Sequence, residues 1–333
     1  MYKLYGHLGS PYSIKMRSLM RYRQIPFQFK SRRIDWEYPY QQVKVKVIPI
    51  LEYPDGKLQN DSTVLIYSLE QSHTERSVIP QLEADAFLAL LIEDMADEWL
   101  SKSMYAYRWA HPAHTQWTGK LIAFDHLFCG DLSLPNIEKL GAEFAHRQVT
   151  RNALVGCTQD NMPLIQHIGD QVLDIMERHV VDHPFLFGSR PSIADFGIYG
   201  QISQFIIDLA AIEPSQQRAP YTMRWLHHMD DLSGCEGQWR QPAETYPAAV
   251  EALLALIGEQ YLPFLLANEA AIASGADSVE LSVSGFDYRQ TPFKYQVKCL
   301  QQLRQAYSNL SDSARVELQP LLHRHNCLEA LQG

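Results

Sequence analysis

Paired cysteines are missing from this chain. Its five cysteines, Cys129, Cys157, Cys235, Cys299 and Cys327, are widely scattered, and no Cys-x-x-Cys occurs. That excludes a zinc ribbon and a redox dithiol, and it fits a reducing compartment. A basic excess is missing too: 29 Lys and Arg stand against 38 Asp and Glu, a formal charge of −9. A general nucleic-acid binder needs a basic face, so nucleic acid is not an expected partner. The local clusters RSLMRYR and KSRRID read as solvated surface. No apolar run approaches the ~20 residues that span a bilayer, and the opening MYKLYGHLGS lacks the pattern of a secretory signal. A cytoplasmic location and no membrane partner are the expectations. Internal repeats and low-complexity tracts are absent as well.

What is present reads as an ordinary folded protein, 46% hydrophobic and 20% charged. At 333 residues the chain is long for a single core, so more than one domain is expected. Residues 2–5 read as a short buried strand, and Pro11 opens a helix at its favoured first-turn position. PFQFK gives a second strand and QVKVKVIPILEY a third that contains Pro49. YPDGK supplies a tight turn, so VIPILEYPDGKLQ reads as a hairpin. DSTVLIYSLEQ then starts a helix capped by Asp61 or Ser62. This is a thioredoxin-like order, assigned to residues 1–75.

Beyond a polar connector the pattern becomes helical. Phe87, Leu90, Leu91, Met95 and Trp99 recur at helical spacing, as do Ile165, Ile168, Val172 and Met176. Residues 85–235 are therefore expected to be an all-α domain. Residues 240–333 form an additional region of helices, with a possible β-hairpin where Val279, Leu281 and Val283 alternate.

Chemistry is concentrated in GSPYS, Gly9 to Ser13. With cysteine at both serines this would be a redox dithiol; hydroxyls cannot do that work. The amides of an opening helical turn lack internal partners and favour anions. A serine there is too weak an acid to be a nucleophile, but it can donate to a thiolate held by another molecule. Lowering a thiol pKa from ~8.5 to ~6.5 needs roughly 2.7 kcal/mol. A hydrogen bond to a charged group supplies ~1.5–3 kcal/mol and a helix terminus ~0.3–1. Together they suffice, and the helix terminus alone does not. The plain alternative is that Ser10 or Ser13 merely caps the helix.

Two further signals accompany it. Pro49 in VIPIL lacks a ladder donor, so the strand must be unpaired at that point. A cis bond there would turn the backbone of Ile48 outward, free to pair with an extended peptide. Asp61-Ser62 opens the next helix as a second amide nest suited to a carboxylate, or as a plain N-cap.

GSPYS, VIPIL, NDSTVLI and the later FLFGSRPSIADFGIYGQI together resemble cytosolic-type glutathione transferases of the serine type. The resemblance covers residues 1 to about 235. It implies that Ser10 holds the glutathione thiolate, with Ser13 as second choice. It implies that Ile48, through its backbone, and Pro49 pair with the cysteinyl part, and that Asp61 and Ser62 bind the γ-glutamyl end. Lys46 stands three residues before Pro49 rather than the family's two. Ser192 to Asp195 match the family's capping box, a structural feature. By the same resemblance a homodimer is expected, with glutathione as co-substrate and no metal.

In that family the second substrate lies along the first long helix of the second domain. Here that helix offers Trp99, Tyr105, Tyr107, Arg108 and Trp109. Tyr105, Arg108 and Trp109 are the candidate pocket for a small apolar electrophile, against the plainer reading of core aromatics. His111 and His114 lie beside it, and HRHNC offers His323, His325 and Cys327 with no partner motif for a metal. Two functions follow as expectations. One is a glutathione transferase that activates the thiol for transfer or for peroxide or disulfide reduction. The other is a non-catalytic binding or regulatory protein on the same fold.

Overall fold

The apolar run at the start of the chain forms β1 (Tyr2–Tyr5), and the helix opened by Pro11 is α1 (Pro11–Tyr22). A computed structural model describes all 333 residues. β2 (Phe27–Lys30) follows, then a 3₁₀ turn at Arg33–Trp36 and α2 (Glu37–Gln42); β3 (Ile50–Glu52), β4 (Leu58–Asn60) and α3 (Ser62–Ser72) complete the unit. The strands make one sheet in the order β2-β1-β3-β4. β1 runs parallel to β2 and antiparallel to β3, with Tyr5 opposite Lys30 on one side and Ile50 on the other. β3 and β4 form the expected hairpin, and Gly56 takes a φ of +87° in its turn. Such a backbone is open to glycine at no steric cost.

Two details differ from the sequence reading. The strand at Pro49 begins only at Ile50, because proline has no N–H for the ladder, and residues 43–49 run outside it. α2 was not anticipated: it is short and carries no apolar period.

The helical part comprises α4 (Glu83–Met95), α5 (Ser101–Trp109), α6 (Pro112–Leu127), α7 (Leu134–Val149), α8 (Met162–His179), α9 (Ile193–Ile202), α10 (Ile212–Arg218) and α11 (Pro220–Met229). A π turn at Ala96–Leu100 joins α4 to α5. At α9 the Ser192 amide donates to Asp195 at 2.8 Å, and the capping box is complete.

The remaining elements are α12 (Ala248–Leu256), a π turn at Ile257–Tyr261, α13 (Leu262–Ser274), the hairpin β5 (Val279–Val283) and β6 (Phe286–Gln290), then α14 (Lys294–Ser308), α15 (Asp312–Arg324) and α16 (Leu328–Gln332). The stretch Ala248–Ser274 is one 27-residue helix, long and apolar enough to cross a membrane by length and composition. This corrects the expectation that no apolar run approaches that length. The π turn just before Pro263 absorbs the missing N–H. Within this fold 67% of the helix's most apolar window is buried.

The C-terminal region is not a loose appendage. α12 packs on α8, and α14 and α15 pack on α4. Within the region itself, Gly258 lets the long helix approach the turn after α15, since a Cβ there would lie 1.7 Å from the His325 carbonyl oxygen. Trp99 donates to Gln260 at 3.3 Å and Lys102 to Gln290 at 2.7 Å. A single cluster of 75 buried apolar residues runs from Tyr2 to Leu331, so the region shares its core with the rest of the chain.

Candidate functional site

The strand-to-helix junction after β1 is shaped by a short turn. The Ser10 amide donates to the His7 carbonyl at 3.1 Å, which swings Ser10 to the head of α1. Its Oγ accepts from the Ser13 amide at 3.3 Å, the capping bond expected of a serine in this place. Ser10 stands on the wall of a cleft of about 1330 Å³ between the N-terminal unit and α5, α6 and α7. Ser13 does not. It is fully enclosed, its Oγ has no partner, and it presses against Gly6, where an added Cβ would meet that Oγ at 2.2 Å. Of the two serines, Ser10 alone reaches the cleft.

Across from Ser10 lies the loop before β3. The Ile48–Pro49 bond is cis, and Ile48 lines the same cleft. Lys46 lines it too, and its ammonium donates to the Tyr40 carbonyl at 2.5 Å.

Asp61 caps α3 with φ +78°, accepting from the Val64 amide at 3.5 Å. A non-glycine residue in that region costs of order 1–3 kcal/mol and clusters at functional sites. Asp61 does not line the large cleft; it lines a second cavity of about 460 Å³. Ser62 departs from its expected role. Its hydroxyl is buried, donating to Asp97 at 3.4 Å and accepting from Lys15 at 3.5 Å, because these buried charges need partners.

The acceptor residues also divide. Tyr105 and Trp109 line the cleft, and the Tyr105 hydroxyl donates to the Gln148 carbonyl at 2.8 Å. Arg108 touches the cleft, but its guanidinium is committed elsewhere. It pairs with Asp208 at 2.6 Å and donates to the Gly9 carbonyl and the Gln204 side chain. It is a brace behind Ser10 rather than a free contact for an electrophile. Trp99 lies in the core against Phe264, and Tyr107 packs on Phe205. His111 and His114 stack on each other, outside the cleft lining. His325 faces Glu251 at 3.4 Å, whereas Cys327 is buried with its thiol on the Leu254 carbonyl.

Among the lining residues that the sequence reading missed are His7, Trp36, His126 and Phe144. The His7 ring stacks on Trp36 at 5.8 Å, and His126 meets His7 edge-on at 5.0 Å. Both imidazoles are buried. His7 Nδ1 and both nitrogens of His126 have no hydrogen-bond partner. Burial, then the charge of Arg33, pushes His126 down to about 4, and burial holds His7 well below the usual imidazole range. Both rings are neutral at pH 7. Their signal in the sequence was too thin to find, since they lie 119 residues apart with no motif between them.

The geometry is a serine hydroxyl at a helix start and Ile48 on the wall of one cleft, with aromatic side chains around them. Residues 4–77 match the family profile described as Glutathione S-transferase, N-terminal domain, and residues 168–228 that described as Glutathione S-transferase, C-terminal domain. The two matched stretches are similar to the two domains of glutathione S-transferases, in the same order along the chain. No curated protein matches it by sequence. Among solved structures, it is similar to the β-etherase LigF from Sphingobium sp. strain SYK-6, at 15% identity and a TM-score of 0.49 over 76% of this chain and 98% of that one. A glutathione S-transferase from Methylobacillus flagellatus KT with glutathione bound is 16% identical, with a TM-score of 0.43 over 70% and 96%. Another from Methylobacterium radiotolerans JCM 2831, in complex with glutathione sulfonate, is 14% identical, with a TM-score of 0.40 over 74% and 99%.

A buried charge network ties α1 to α4 beneath the site. Lys15 is fully enclosed and pairs with Glu93 and, at 2.7 Å, with Asp97. Burial opposes its charge, yet Asp97 and Glu93 hold its ammonium above the ordinary lysine range. Burial pushes Glu93 upward against the pull of Lys15. Asp94, also on α4, is raised to about 7 by burial, with the Tyr261 hydroxyl donating to it at 2.6 Å.

Proposed function

We propose that the protein binds glutathione along the Ser10 face of the cleft, favours its thiolate, and joins that sulfur, with the whole tripeptide, to a carbon of a flat apolar electrophile whose leaving group departs with the bonding pair. The observation that carries this reading is that Ser10, and not Ser13, lines the cleft at the head of α1, together with Ile48. Bound there, a thiolate accepts from the Ser10 hydroxyl and sits at the positive end of α1. Tyr105, Trp109, Trp36 and Phe144 offer the aromatic surface on which a flat second substrate would lie. Holding both reactants in one cleft is the second source of rate.

Glutathione is the co-substrate in this proposal. A homodimer, a cytoplasmic location and a detoxifying role come with it as family expectations. So does the division into a glutathione-binding unit at 1–75 and a helical unit at 85–235, to which the chain adds a region at 240–333 that the family does not account for. Retention on immobilised glutathione, released by free glutathione, tests the reading. Retention with thiol transfer to a chromogenic aryl halide supports it. Retention without transfer removes the reaction and leaves the glutathione site, whereas no retention at millimolar ligand supports the non-catalytic binding or regulatory protein instead.

A further inference from the structure

None of the residues lining the large cleft lies beyond Arg151, so the C-terminal region leaves the acceptor side open. Its contact with the site is at the opposite end. The Tyr295 hydroxyl, on the first turn of α14, donates to Asp61 Oδ2 at 3.2 Å. Asp61 Oδ1 meanwhile accepts from the Val64 amide, so each carboxylate oxygen is held. A phenol carries its proton at neutral pH, so Tyr295 is the donor in this pair.

The second cavity exists because α14 stands over α3 and α4. Lys57, Gln59, Asp61, Thr63, Asp94 and Tyr295 are among the residues around it. Lys57 has no carboxylate partner, and Asp94 is occupied by the Tyr261 hydroxyl from the C-terminal region. One free cation, one oriented carboxylate and several neutral polar groups fit a zwitterionic amino-acid head. An ammonium would go to Asp61 and a carboxylate to Lys57.

We propose that the C-terminal region completes the glutathione site, with Tyr295 as the positioning residue that aims Asp61 at the ammonium of the γ-glutamyl end. This rests on the glutathione reading above and adds a residue outside both family domains. Tyr295 is 39% exposed, so Tyr295→Phe removes one hydroxyl without opening a core.

The test compares two thiols by calorimetry on the full chain: glutathione, and glutaryl-cysteinylglycine, which lacks only the glutamyl amino group. Tyr295→Phe is expected to weaken glutathione about fivefold and the amino-free thiol hardly at all. In an Asp61→Asn background the same change is expected to have no further effect on glutathione. Equal weakening of both thiols would mark Tyr295 as merely structural and overturn the proposal, as would no change in either. Should the unaltered protein bind neither thiol, the glutathione reading itself falls and takes this one with it.

Discussion

Arg108 and Asp208 meet at 2.6 Å in the interior, one on α5 and the other in the turn after α9, with side chains only 3% and 1% exposed. The same guanidinium reaches the Gly9 carbonyl, one residue before Ser10. The pair therefore braces the turn that presents the site. Breaking a buried pair from one side leaves an uncompensated charge, at a cost of about 3–5 kcal/mol. Arg108→Ala is expected to lose that much in urea unfolding and to reduce transfer activity through the loosened turn. Adding Asp208→Ala is expected to restore part of the stability, because no lone carboxylate is then left inside.

The serines separate cleanly. Ser13 Oγ is enclosed and unpartnered, so Ser13→Ala removes an unsatisfied group and should change stability by no more than about 1 kcal/mol. It should leave thiol activation intact. Ser10→Ala should cost about 1 kcal/mol through the lost cap and about 10- to 100-fold in turnover through the lost hydrogen bond. Urea melts and steady-state rates on both variants check this.

His126 fixes a pH dependence. Its imidazole titrates at about 4 in the fold and near 6.5 when unfolded. Between those values the unfolded chain binds the extra proton, so stability rises with pH across this window. The contribution is complete above pH 6.5 and lost as pH falls toward 4. His126→Gln is expected to shrink that acid-side loss by up to about 3 kcal/mol. Unfolding free energies of both proteins at several pH values between 4 and 7 read the difference.

Asp94 works in the opposite sense. Its folded pKa of about 7 exceeds the ordinary 3.8, so the folded chain holds a proton that the unfolded chain has released. Stability therefore falls as pH rises from about 4 to 7 on this account and is flat above. Asp94→Asn keeps an acceptor for the Tyr261 hydroxyl and drops the charge. It is expected to gain about 2 kcal/mol at pH 8 and nothing at pH 4, read from melts at those two values.

The N-terminal architecture was legible because its signals are local. Pro11 after Ser10 marks a helix start, YPDGK marks a hairpin, and Ser192 to Asp195 form a capping box inside four residues. The hairpin of Val279 and Leu281 was equally local. What stayed hidden depends on partners far along the chain. Lys15 looks like a solvated residue on an amphipathic helix until Glu93 and Asp97 arrive from α4 and its π turn. Arg108 reads as an acceptor contact because nothing near it in sequence announces Asp208. His7 and His126 had no pattern at all. Tyr295 was unreadable as a site residue, since Asp61 lies 234 positions away.

The account turns on the Ser10 hydroxyl stabilising the sulfur anion of bound glutathione. Ultraviolet thiolate absorbance, followed against pH on saturated protein, measures this directly. The account predicts a bound thiol pKa near ~6.5 that returns toward ~8.5 in Ser10→Ala. A bound thiol that titrates near ~8.5 in the unaltered protein, or one equally depressed without the hydroxyl, would contradict it.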